Sequence, residues 1–184
     1  MAPRQALSAA IQQRSRSAAI AVGHTVRALR VARGWTIEQA AENTGVDPRH
    51  LQRIEKGRVA TSLATLLRVA DSLQVALRAL VVDVVPVVPE ELSVAQADPP
   101  APEPRSPSAT PVEIDDLPRL IGRKIALLRR ERGWTQAQLA ARSALTEPYL
   151  QRIERGRQNP SIKVLARIAG ALDLPVTDLL RLDV

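Results

Sequence analysis

Apolar side chains recur along this chain three or four residues apart, the spacing of one face of a helix. Leu120, Ile121, Ile125 and Leu128 fall on one such face, and the apolar positions of residues 63–70 fall on another. The same periodicity returns in short segments that are separated by glycines and by residues that cap helices. The pattern predicts two groups of five short helices each, and therefore an all-α fold.

Local signals predict where these helices begin and end. Thr36 and Thr135 each stand three residues before a glutamine, which is the arrangement of a capping box at a helix N-terminus. The third helix of each group is predicted to have a proline in its first turn and to end at a glycine. These signals occur in the same order in both groups, as Asp47, Pro48 and Gly57 in the first and Thr146, Pro148 and Gly156 in the second.

The groups agree because the sequence repeats itself at an offset of 99 residues, from Trp35 to Trp134. Residues 33–36 return as residues 132–135, and residues 51–58 return as residues 150–157. Two copies are too few for a solenoid, so the chain is predicted to contain one small module twice.

The repeat divides the chain into four parts. Residues 1–19 show little apolar periodicity and are expected to form a flexible arm, whereas residues 20–85 and 117–184 are the two modules. Residues 86–116 are acidic and rich in proline, so we expect a disordered linker there. Residues 80–85 are apolar and β-branched. They predict either a short strand that pairs across a dimer, which is the interpretation we favour, or the tail of the last helix.

The formal net charge of +7 is distributed unevenly. Residues 82–118 carry a net charge of −7, so the rest of the chain carries +14. Basic modules beside an acidic connector indicate a polyanionic partner such as nucleic acid. The alternative is that the surface arginines only keep the protein soluble.

The composition excludes several classes of site. Because the chain has no cysteine, it has no disulfide, thiolate metal site or cysteine nucleophile, and it suits a reducing cytoplasm. His24 and His50 are its only histidines, which rules out a multi-histidine metal site. We find no catalytic constellation, no signal peptide and no apolar run that would span a membrane. The sequence thus predicts a soluble, cytoplasmic, non-enzymatic protein with no cofactor, metal or evident small-molecule ligand.

The second copy carries a specific resemblance. Residues 133–140 are Gly-Trp-Thr-Gln-Ala-Gln-Leu-Ala, and residues 153–161 are Ile-Glu-Arg-Gly-Arg-Gln-Asn-Pro-Ser. They resemble the phage-repressor (Cro/XRE) family of helix-turn-helix proteins, and residues 34–62 are similar to it, though less closely. The resemblance implies two lambda-repressor-like domains whose third helix enters the major groove of double-stranded DNA. It also implies a sequence-specific transcriptional regulator at the nucleoid, with repression as the expected outcome.

The resemblance further implies which side chains meet DNA. A leucine and an isoleucine of each third helix must face the core, so the opposite side is free for base edges. Arginine reads guanine best, glutamate accepts from the cytosine amino group, and glutamine reads adenine. Phosphate contacts are expected at the start of the second helix and in the loop after the third. The predicted DNA-binding residues are Arg49, His50, Gln52, Arg53 and Arg58 in the first module, and Gln136, Glu147, Tyr149, Gln151, Arg152 and Arg157 in the second.

An arginine and a glutamate recur at matching places, as Arg30 with Glu55 and as Arg129 with Glu154. In the family such residues form a partly buried bridge between the first and third helices, which fixes the angle of the third helix. The alternative is two independent surface charges. The tryptophan before the second helix of each copy is expected to plug the core.

The first copy departs from the family pattern at two places. Ile37 stands where the second copy has Gln136, and residues 59–62 lack the polarity of residues 158–161, so strong DNA binding by the first module is in doubt. Our first hypothesis is that both modules read major-groove half-sites, roughly 34 Å apart, which the linker would permit. In a second hypothesis one module binds DNA while the other forms a homodimer. The third is a protein–protein adaptor or antitoxin-like regulator.

Overall fold

The computed structural model describes residues 2–81 and 116–181, and within these ranges the chain forms helices and no strand. The predicted all-α class is confirmed. We call residues 20–81 unit one and residues 117–181 unit two. The first copy contains α1 (Ala2–Ala32), α2 (Ile37–Thr44), α3 (Pro48–Glu55), α4 (Leu63–Ser72) and a 3₁₀ helix (Leu77–Leu80). The second contains α5 (Leu117–Glu131), α6 (Gln136–Arg142), α7 (Glu147–Glu154), α8 (Ile162–Ala171) and α9 (Val176–Leu180).

Both predicted capping boxes are present. The Thr36 Oγ1 accepts from the Gln39 N–H at 3.2 Å, and the Gln39 Oε1 accepts from the Thr36 N–H at 2.8 Å. Thr135 and Gln138 make the same two bonds at the same distances. Each second helix therefore begins where the sequence predicts, because two of its free N–H groups are satisfied by side chains only three residues apart.

The N-terminal segment differs from the flexible arm that the sequence predicts. Residues 2–32 form one continuous helix, α1, whose first part lies outside unit one. Ile11, Ala18 and Val22 are buried on one side of this helix, which packs along α8 of unit two. The prediction for residues 1–19 is therefore wrong over the part that the structure describes. Its error has a physical cause, since the surface that covers this segment lies in the other copy.

The end of unit one is described only in part. Residues 77–80 form the 3₁₀ helix, and Leu80 and Val81 are buried. Residues 82–115 lie outside the described ranges, so both the strand at residues 80–85 and the disordered linker at residues 86–116 stay predictions.

One hydrophobic core holds the buried side chains of both units. Both units contribute equivalent residues to this core. Leu66 of unit one and its equivalent Leu165 of unit two are fully buried, as are Val69 and its equivalent Ile168. The described helices include none long and apolar enough to cross a bilayer.

The two units meet where equivalent residues face each other. The backbones of Ser62 and Ser161 pair in an antiparallel bridge. It is flanked by two hydrogen bonds, from the Leu63 N–H to the Pro160 carbonyl (3.1 Å) and from the Ile162 N–H to the Thr61 carbonyl (2.9 Å). Exchanging the two units maps each bond onto the other, so a local two-fold axis passes through the bridge. One chain thus has the arrangement of a symmetric dimer.

Candidate DNA interface

The third helix of unit one turns its polar side away from the core. Asp47 caps it, with Oδ1 accepting from the His50 N–H at 3.0 Å, and Pro48 takes the first helical position. Leu51 and Ile54 are buried on the inner side, as predicted. The candidate side chains lie on the other side, where Arg49, Gln52 and Arg53 are exposed and His50 is half-buried.

Unit two presents its third helix, α7, in the same way but with different side chains. The guanidinium carbon of Arg152 lies 5.6 Å from the centroid of the Tyr149 ring, and Tyr149 itself packs partly against the core. A cation–π contact of this kind restricts the positions that the arginine adopts. Tyr149 therefore positions Arg152, and its own contact with a base stays a prediction. Of the remaining candidates on α7, Glu147 is exposed and Gln151 is half-buried.

A buried ion pair joins the first and third helices of each unit. Arg30 donates from Nε to Glu55 Oε1 at 2.6 Å and from Nη2 to Oε2 at 3.1 Å. Arg129 and Glu154 make the same pair of bonds at 2.7 and 2.9 Å. These hydrogen bonds to glutamate raise the pKa of both arginines above the ordinary value. Both ion pairs form between the residues that the resemblance pairs, so these side chains are not independent surface charges.

Gln136 belongs to this network in unit two. Its Nε2 donates to Glu154 Oε2 at 2.7 Å, and its side chain is half-buried. The resemblance implies that Gln136 contacts a phosphate, and it gives no sign of the bond to Glu154. Ile37 at the equivalent position has no donor to offer Glu55, so the two networks differ by one hydrogen bond.

The two tryptophans only partly match their predicted role. Trp35 and Trp134 are half-buried against the core. The guanidinium carbon of Arg142 lies 4.4 Å from the Trp134 ring centroid, and that of Arg33 lies 5.9 Å from the Trp35 centroid. One part of each indole ring therefore packs against the core, and an arginine guanidinium lies over the ring.

A glycine of the first helix touches the end of the third helix in each unit. A Cβ added at Gly23 would overlap with the carbonyl oxygen of Ile54, and one added at Gly122 would overlap with that of Ile153. The two helices can approach so closely only because these residues have no side chain. Apolar periodicity gives no sign of this contact, but the return of glycine at the repeat offset does.

The loop after each third helix carries a predicted phosphate contact, Arg58 or Arg157, and both side chains are exposed. Further along, the Asn159 Oδ1 accepts from the Ala64 N–H of unit one at 3.4 Å. The resemblance predicted that residues 158–161 lie near phosphates. In the structure this loop also joins the two units, a role that sequence reasoning missed.

The candidate side chains thus form two groups that the local two-fold axis relates. Gln136 is the one candidate held in the ion-pair network, and the others lie on or directly after a third helix. We call the groups the reading surface of unit one (Arg49, His50, Gln52, Arg53 and Arg58) and the reading surface of unit two (Glu147, Tyr149, Gln151, Arg152 and Arg157).

Residues 26–80 and 125–179 both match the Helix-turn-helix family, and together they make up more than half of the chain. The chain belongs to the helix-turn-helix family. No solved structure matches it significantly.

Curated relatives of this helix-turn-helix chain are regulators by name. It is 42% identical over 64 residues to the uncharacterized HTH-type transcriptional regulator y4dJ of Sinorhizobium fredii, covering 35% of this chain and 83% of that protein. It is 46% identical over 57 residues to the immunity repressor protein of Bacillus phage phi105 (31% of this chain, 40% of that protein). It is 39% identical over 62 residues to the HTH-type transcriptional regulator SinR of Bacillus subtilis (33% of this chain, 56% of that protein). The chain therefore spans less than two thirds of the length of the last two relatives.

The family match leaves part of α1 uncovered. The first match begins at residue 26, whereas α1 begins at Ala2. The part of α1 that reaches across to unit two lies before this match, so the helix-turn-helix family model does not cover it.

Proposed function

We propose that the chain is a DNA-binding transcriptional repressor, and that one molecule places both units on adjacent half-sites. The observation that carries this proposal is the local two-fold axis at the Ser62–Ser161 bridge, because it relates two third helices whose polar sides are exposed. The names of the relatives, which include regulators and a phage repressor, support it. The proposal includes a cytoplasmic location at the nucleoid and no enzymatic activity.

The symmetry of the units suits DNA. Helix-turn-helix dimers place two third helices in successive major grooves, about 34 Å apart, and the symmetry of their operator mirrors their own two-fold axis. In a homodimer the two halves come from two chains. Here the backbone bonds around Ser62 and Ser161 join halves of the same chain, so one molecule supplies both reading surfaces.

The reading surfaces agree in part. Gln52 and Arg53 recur as Gln151 and Arg152, whereas the first three residues of the third helix all differ. We therefore expect two half-sites that share a guanine contacted by the arginine and that differ at neighbouring bases. The operator would be composite rather than palindromic. The positions that differ are Pro48, Arg49 and His50 in unit one against Glu147, Pro148 and Tyr149 in unit two.

Unit one is expected to bind more weakly. Ile37 gives it no polar side chain where unit two has Gln136, and residues 59–62 are less polar than residues 158–161. Attachment to unit two offsets this weakness, because a tethered second site acts at an effective concentration on the order of mM.

The proposal is tested by selecting sites from a random DNA pool with the whole chain, then measuring affinity by fluorescence anisotropy. We expect Arg53→Ala and Arg152→Ala each to weaken binding by roughly 5- to 150-fold, equivalent to about 1–3 kcal/mol, and to relax guanine preference in one half-site. Arg123→Ala is the matched control, since it removes an exposed arginine from α5 and should leave sequence preference unchanged.

Three outcomes would contradict the proposal. Unchanged base preference in both arginine variants would remove the reading surfaces from recognition. Contacts with phosphates make log K fall steeply with log salt, so DNA binding is strongest at low salt. Absence of DNA affinity under that condition would favour the protein–protein adaptor. Two chains per operator by light scattering would favour the hypothesis in which one unit dimerises.

A further inference from the structure

The first part of α1, residues 2–19, belongs to neither match with the helix-turn-helix family. We call it the N-terminal extension. The corresponding helix of unit two, α5, begins at Leu117, the repeat equivalent of Ala18. The extension therefore has no counterpart in unit two among the residues that the structure describes.

The extension is packed against unit two. Ile11 and Ser15 are buried although they precede unit one, and α1 packs along α8. The Arg14 side chain crosses α8 at Gly170, where an added Cβ would lie 3.0 Å from Nη1 and 3.3 Å from Cδ. The residue of α4 in unit one that is equivalent to Gly170 is Asp71. Unit one therefore has a side chain at this helix position, whereas unit two has none where Arg14 crosses.

The buried side of the extension continues into unit one. Ile11, Ser15, Ala18 and Val22 follow one another at helical spacing, and Val26 extends the stripe. A helix of 31 residues is about 46 Å long. The same rigid element thus lies against α8 with one part and against α3 with another.

Two other contacts between the units join equivalent elements and therefore lie near the local two-fold axis. The Ser62–Ser161 bridge is one, and the contact between the 3₁₀ helix and α9, the final elements of the two units, is another. Contacts close to the axis lie near the centre of rotation, so they resist rotation of the two units relative to each other only weakly. A helix that spans both units extends further from the axis and resists this rotation more strongly.

We propose that the N-terminal extension fixes the relative orientation of the two third helices, and so determines the half-site spacing that the protein accepts. This inference rests on the proposed function as far as DNA is concerned. Its structural part, the fixed orientation, does not depend on DNA. Because the extension lies outside the reading surfaces, it acts as a positioning element.

The test uses the full chain with two buried positions changed separately, Ile11→Glu and Ser15→Glu. Gln13→Glu is the matched control, because it introduces the same residue at an exposed position of the same segment. The chain has no cysteine, so Lys56→Cys and Arg155→Cys, at equivalent exposed positions, provide the two sites for spin labels. Circular dichroism with thermal unfolding checks that each variant retains its folded units.

The first readout is the distance between the labels, measured by pulsed electron paramagnetic resonance without DNA. We expect one narrow distance in the otherwise unchanged chain and in Gln13→Glu, and a distribution at least twice as broad in both buried-site variants. The same narrow distance in all four proteins would overturn the inference, whatever the protein binds.

The second readout is affinity for operators with about five base pairs, half a turn, inserted between the half-sites. The unchanged chain and Gln13→Glu should lose at least tenfold in affinity. Ile11→Glu and Ser15→Glu should lose less than about threefold, since units that are joined only near the axis can rotate to suit the new spacing. Equal losses in all four proteins would overturn the role in spacing. Failure of the unchanged chain to bind any DNA would instead overturn the proposed function. The distances between the labels would then still test whether the extension fixes the orientation of the units.

Discussion

Ala144 allows backbone strain to be measured, because its equivalent in unit one is a glycine. Ala144 has a φ of 52° and Gly45 has a φ of 62°, both in the left-handed region, and each follows the second helix of its unit. In this region a Cβ comes too close to the next carbonyl oxygen, which costs about 1–2 kcal/mol. A Cβ added at Gly45 would have nothing within 4 Å, and Ala144 is exposed, so exchanging the two residue types changes little besides the backbone.

We expect Ala144→Gly to raise the free energy of unfolding by about 0.5–1 kcal/mol. This is the relieved strain of about 1–2 kcal/mol, less the roughly 0.4–1 kcal/mol by which glycine's greater freedom stabilises the unfolded chain. Gly45→Ala should lower the free energy of unfolding by a similar amount. With a urea m-value of about 2 kcal/mol/M, the midpoints move by about 0.3–0.5 M in opposite directions.

The control is Ala28→Gly, an exposed position inside α1. It makes the same chemical change where φ is helical, so it should lower the free energy of unfolding by about 1 kcal/mol. Urea unfolding followed by circular dichroism compares the three variants. If Ala144→Gly destabilised the protein as Ala28→Gly does, no strain would reside at residue 144 and the reasoning would be refuted.

Two further pairs of substitutions give predictions from the same urea assay. Glu154→Gln leaves Arg129 buried beside a neutral amide and should lower the free energy of unfolding by about 3 kcal/mol, and Gln136→Ala by about 1 kcal/mol. Their combination should cost less than the sum, and additive costs would contradict the shared network. Gly122→Ala should cost about 2–3 kcal/mol because its Cβ overlaps with backbone, whereas Gly170→Ala meets a movable arginine and should change stability by less than about 1 kcal/mol. Equal effects of the two glycine substitutions would show that the first and third helices do not approach as described.

What the sequence predicts well depends on residues close together in the chain. The capping boxes at Thr36 and Thr135 need only a glutamine three residues on, and the apolar face of each third helix follows from helical spacing alone. The Arg30–Glu55 bridge spans more of the chain, but it was accessible because the family resemblance pairs these positions.

The features that escaped prediction depend on contacts between the two copies. The stripe of Ile11, Ser15 and Ala18 contains small residues, and its covering surface is α8, so its periodicity looked too weak for a packed helix. The pairing of Ser62 with Ser161 uses backbone atoms, which leave no pattern in the residue types. The bond from Gln136 to Glu154 was hidden for another reason, since the family role of this glutamine pointed outward to DNA.

The backbone contact between the two units is symmetric, but the structure around it is not, and this asymmetry determines which operators the protein is expected to bind. The bridge at Ser62 and Ser161 would join two identical units equally well. The N-terminal extension, however, packs on unit two, and α3 and α7 differ at each of their first three residues. A homodimer must read the same bases twice, because its two surfaces come from one sequence. In this chain each surface belongs to a different stretch of sequence, so the proposed operator has a direction. We therefore expect that replacing one half-site with an inverted copy of the other, which makes the operator a palindrome, weakens binding, a result that a palindrome-reading dimer cannot give.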